Sequence, residues 1–72
     1  MSSDESARLR ALLSYWIKHN KEHSQEFREW ADRAEGFGED EAAKEMAQAA
    51  REMDKASEYL SQTLSRLEQK EF

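Results

Sequence analysis

The chain has 72 residues, 38% of them charged and 38% hydrophobic, with net charge −5, two glycines, no proline and no cysteine. That length allows one small domain, which buries only about 60% of its unfolded surface, and without cysteine no disulfide or cysteine-based zinc site can staple it. Acids outnumber bases 16 to 11, so no basic face emerges to meet a phosphate backbone or an anionic lipid surface; nucleic acid and membrane are not expected partners.

At the N-terminus, Met1-Ser2-Ser3-Asp4-Glu5 lacks the positive start and apolar run of a signal peptide, and no stretch reaches transmembrane length. Cytoplasmic residence is the expectation. Ser2 followed by Glu5 fits a capping box, with Ser3 and Asp4 as competing caps. A helical period then predicts a first helix over about 4–35. Glu35-Gly36-Phe37-Gly38-Glu39 is the turn (36–38), with Gly36 in the left-handed position that ends a helix. Phe37 is placed to staple onto Ala42, and Glu39-Asp40-Glu41 puts negative charge on the next first turn. A second helix is expected over about 39–69. So short a connection makes the two helices antiparallel neighbours in one all-α domain, 1–72.

Written as heptads, the first helix has Leu13, Asn20, Phe27 and Ala34 at a and Leu9, Trp16, His23 and Trp30 at d, with Ile17 and Ala31 at e. The second has Ala43, Ala50, Ser57 and Leu64 at a and Met46, Met53, Leu60 and Leu67 at d, with Ala42, Ala49, Ala56 and Thr63 at g. The a and d columns are read as the inward seam. Both stripes are wider than a two-column seam, so each helix should touch more than one neighbour. A hairpin offers only one. Dimerisation into an antiparallel four-helix bundle is therefore expected, with Trp16, Phe27 and Trp30 packed on the alanine-rich second helix. About the bend, residues whose numbers sum to about 74 should face each other. That sets His23 near Ala50 and Met53, Asn20 near Asp54, and Tyr15 opposite Tyr59.

Asn20 and His23 interrupt the greasy seam. His19 and His23 stand four residues apart, which stacks two imidazoles on one helix face and suits a shared divalent cation. Glu26 follows His23 on the same face, Asp54 is the nearest candidate ligand across the hairpin, and a dimer could supply a second histidine pair. The competing reading makes Asn20 and His23 a buried polar pair that fixes register. His19-Asn20-Lys21-Glu22-His23 also matches the H-x-x-E-H pattern of inverted zinc proteases. Glu22 falls at c, outside the seam, and 72 residues cannot enclose a cleft. The Glu-x-x-His motif of di-iron bundles is absent, since Trp16 and Asn20 precede the two histidines by three.

The run Tyr15-Trp16-Ile17-Lys18-His19-Asn20-Lys21-Glu22-His23, followed by Phe27, Trp30-Ala31 and an alanine-rich helix, resembles a family of small helical hairpins of unknown function. That family is similar to the helical extension of small nickel-binding accessory proteins of carbon monoxide dehydrogenase maturation. The resemblance implies that His19, Asn20 and His23 are signature positions with a role in metal handling, although the β-rich nickel-binding part of those proteins has no counterpart here. The expected function is a non-enzymatic assembly or adaptor module. It would carry a nickel or zinc site at His19, His23 and Asp54, with Trp16, Asn20, Phe27 and Trp30 setting register and interface. The alternative is a pure interaction or oligomerisation module, with structural histidines and no metal, that self-associates or accepts a partner helix. No nucleophile–base pair or cofactor motif points to an enzyme.

Overall fold

Ile17 and Thr63 are the sole β-branched residues in the sequence, and proline is absent. Little therefore opposes helix over either half of the chain. In the computed structural model, which describes residues 3–69, α1 is Ser3–Gly36 and α2 is Asp40–Gln69. The two pack as an antiparallel hairpin with principal extents of 55 × 14 × 12 Å. Asp4 and Glu5 sit in the first turn of α1 and Asp40 and Glu41 in that of α2, where carboxylates complement the helix dipole. The expected capping box rests on Ser2, which lies outside the described residues.

The turn differs by two residues from the expected one. Gly36 stays helical, and Gly38 takes the positive φ of 92°. The Gly38 amide donates to the Glu35 carbonyl at 3.1 Å and the Glu39 amide to the Ala34 carbonyl at 2.8 Å. Those two bonds form a Schellman motif with Gly38 at C′, which satisfies carbonyls that the helix end would otherwise orphan. The Glu39 carbonyl then accepts from the Ala43 amide at 2.9 Å and opens α2. Phe37 is 65% exposed, too open to act as the staple expected of it.

The buried apolar residues among those described are Leu13, Ala31, Ala34, Ala43 and Ala50, joined by Ser24 at 1% exposure. Half-buried Ile17, Asn20 and Phe27 complete the α1 side. The inward face of α1 is thus built from the a and e columns, not from a and d. Leu9, Trp16 and Trp30, at d, are 38%, 39% and 51% exposed, and His23 is only half-buried. The reason is size. Ser24, Ala31 and Ala34 meet Ala43 and Ala50, and small side chains on both helices permit close approach where indole rings would hold them apart. On α2 the a and d columns do face inward, with Met46, Met53, Leu60, Leu64 and Leu67 half-buried. The Ser24 hydroxyl lies 3.5 Å from the Ala50 carbonyl, which fixes the level of the hairpin at a residue sum of 74.

Candidate functional site

Steps of four residues carry a row of side chains obliquely around a helix. On α1 that row is Tyr15, His19, His23 and Phe27, and the rings touch in sequence. Tyr15 stacks on His19 with centroids 5.3 Å apart and planes inclined by 13°. His19 meets His23 edge-on at 4.3 Å, and His23 stacks on Phe27 at 6.1 Å. The two imidazole Nε2 atoms stand 3.0 Å apart.

Each histidine has a glutamate three residues on. His23 Nδ1 lies 2.9 Å from Glu26 Oε1, and His19 Nδ1 lies 3.9 Å from Glu22 Oε1. A carboxylate can only accept, so His23 Nδ1 carries the proton and, in the neutral ring, Nε2 keeps its lone pair. His19 Nε2 is then the donor in the bond between the rings. The tandem His19-x-x-Glu22-His23-x-x-Glu26 is legible in the sequence. Matching its first half to a protease pattern obscured the repeat.

Asp54 is not brought to this pair. It lies on the other flank of the hairpin, where Ser24 donates to its Oδ1 at 2.7 Å and Arg28 Nη2 donates to Oδ2 at 2.5 Å. Arg28 Nη1 also donates to the Ser24 hydroxyl at 2.5 Å, closing a strap across the two helices. The Arg28 hydrogen bond foremost, and the Ser24 bond after it, hold the Asp54 carboxyl below the usual carboxylate range against a smaller opposing effect of desolvation. Sequence reasoning missed Ser24 because a serine at e carries no apolar signal. Among the described residues, no group of three or more His, Cys, Asp or Glu side chains is placed to hold a metal ion. Among those residues the two imidazole nitrogens have no third ligand beside them.

The strap marks one flank of the hairpin as the e and b side of both helices. Lys21, Asp54 and Glu58 line a shallow groove there, and Asp32, Asp40 and Lys44 line another. The d and g columns therefore share the opposite flank. From Leu9 to Leu67 that flank carries just two side chains of fixed charge, Glu26 and Arg33, and Arg33 lies over the Trp30 ring at 4.7 Å. Leu12 at g is 44% exposed. The hairpin thus has one polar flank and one apolar flank.

Residues 9–67 match a family described as a domain of unknown function, DUF8180. The chain belongs to the DUF8180 family. The match spans nearly all of both helices, so the hairpin described above is the DUF8180 domain rather than an appendage to it. It carries no activity with it, and no link to carbon monoxide dehydrogenase accessory proteins. No curated protein matches the chain, and no solved structure does. No helix among the described residues of this DUF8180 domain is long and apolar enough to cross a membrane.

Proposed function

We propose that this DUF8180 hairpin is a non-enzymatic assembly module, which joins two copies of itself face to face into a four-helix bundle. The observation that carries the reading is the exposed d and g flank, where Leu9, Leu12, Trp16 and Trp30 remain 38–51% exposed. The intramolecular core cannot substitute for it. Among the described residues, four of the five buried apolar ones are alanines, and a core of this size rarely supplies more than roughly 3–5 kcal/mol. A flank 55 Å long and 14 Å wide offers about 800 Å², the amount each partner contributes to a standard stable interface. Indoles on α1 and the Ala42, Ala49 and Ala56 column on α2 give large and small surfaces that interlock.

Sedimentation equilibrium tests the reading. The chain is expected to be a dimer at tens of micromolar. Trp16→Glu with Trp30→Glu should shift it to monomer, whereas Tyr59→Glu, at a site 70% exposed off the flank, should not. A compact, helical wild-type monomer at that concentration overturns it and leaves the flank free for a helix of a different protein.

A further inference from the structure

Two neutral imidazoles held 3.0 Å apart at Nε2 subtend roughly 90–100° at an ion lying about 2.0–2.1 Å from each. That is the cis angle of a square-planar or octahedral centre. A tetrahedral ion needs the nitrogens about 0.3 Å further apart, within reach of a small side-chain rotation. One outer contact of a ligating histidine is in place as well, for such residues donate their second N–H to a carboxylate. His23 already does so to Glu26 at 2.9 Å. His19 reaches the same state by moving its proton from Nε2 to Nδ1, where Glu22 stands 3.9 Å away. Tyr15 and Phe27 stack on the two rings from outside and limit their rotation. Among the described residues the pair has no further ligand.

Position along the helix says where those ligands come from. α1 runs Ser3–Gly36, so its midpoint falls between His19 and Asn20. His19 and His23 occupy g and d on the apolar flank, the face that a second copy would cover. Two face-to-face hairpins can be related by a two-fold along the long axis or across it. The first packs α1 against α2 of the copy and leaves the two α1 helices on the diagonal. The second packs α1 beside its own copy, running antiparallel, so that equal levels meet at mid-length. Under that second arrangement His19 and His23 approach their counterparts.

From this we infer that His19 and His23 are half of a four-imidazole site for a late first-row divalent cation of the nickel, copper and zinc class, completed by the same pair of a second copy. The inference rests on the dimer argued above. Neutral imidazole is the ligand these ions share, and the site would clamp the two copies at one register.

Titration of the full chain with nickel chloride, and separately zinc chloride, in a non-chelating buffer tests it. Calorimetry supplies the stoichiometry, and nitrogen NMR follows the histidine rings. One ion per two chains is expected, with both Nε2 signals shifted and His19 converted to its Nδ1–H form. His23→Ala should abolish binding. Glu26→Gln should weaken it about 10–100-fold while helicity is unchanged. A chain that is dimeric by sedimentation but binds neither ion more tightly than its double tryptophan variant overturns the site and leaves the assembly reading standing. One ion per chain, bound equally by that variant, overturns the four-imidazole completion. A monomer with or without metal overturns both. A monomer that dimerises only when metal is added supports the site and overturns assembly through the apolar flank alone.

Discussion

Leu13→Ala is the sharpest probe of which face of α1 holds the hairpin together. Leu13 is 2% exposed, while its sequence neighbour Leu12 is 44% exposed. Truncation to alanine removes three carbons, and at roughly 0.8 kcal/mol per buried carbon the transfer loss at Leu13 is about 2.4 kcal/mol. The cavity left behind brings the total to about 2–5 kcal/mol. That rivals the entire stability available to a domain of this size. Leu12→Ala removes groups already half hydrated and should cost about 1 kcal/mol or less in the isolated hairpin. Urea unfolding followed by helical circular dichroism, at several chain concentrations, separates the two. The Leu13→Ala loss should be present at every concentration. Any added loss from Leu12→Ala should grow as concentration rises and the apolar flank is covered. Equal losses at the lowest concentration would refute the assignment of a and e as the inward columns.

The two glycines should respond with opposite signs. Gly38→Ala is strained by its φ of 92° although nothing lies within 4 Å of the added carbon, and should cost about 1–2 kcal/mol. Gly36→Ala, helical and equally open, should gain about 0.5–1 kcal/mol, both read as thermal midpoints. Asp54 sets the acid response. Its carboxyl lies below the reference value of 3.8 in the folded chain, so its stabilisation is complete above that value and is lost as pH falls through the lowered one. Asp54→Asn should therefore be less stable than the wild type near neutrality. The gap should close below about pH 4, as thermal melts across the acid range would reveal.

The two helices and their level could be read from the sequence, although the left-handed residue between them is Gly38 and not the expected Gly36. Proline is absent, glycines cluster at one place, and carboxylates open both helices. Which column of α1 turns inward could not be read the same way. Hydrophobicity marks Trp16 and Trp30 as apolar but does not say which columns of a wide stripe turn toward the other helix. Close approach of the helices selected the small residues Ser24, Ala31 and Ala34 instead. The histidine pair was visible from its spacing alone. Its carboxylate contacts needed rotamers, and the capture of Asp54 by Arg28 and Ser24 needed the turn of α1 about its axis.

The strap also has a kinetic meaning. A hairpin of two long helices gains its contacts in order of loop length, from the small residues beside Gly38 outward to Leu13 near the open end. Ser24 and Asp54 are 30 residues apart and lie midway along that progress. Each further turn adds little to the entropy of closure once the bend is formed. Pairing that starts at the Schellman turn and spreads outward is therefore the cheapest route, and its contacts are local enough to make folding fast. Changes beside the bend should then slow folding, whereas changes beyond the strap, toward Leu13, should chiefly hasten unfolding.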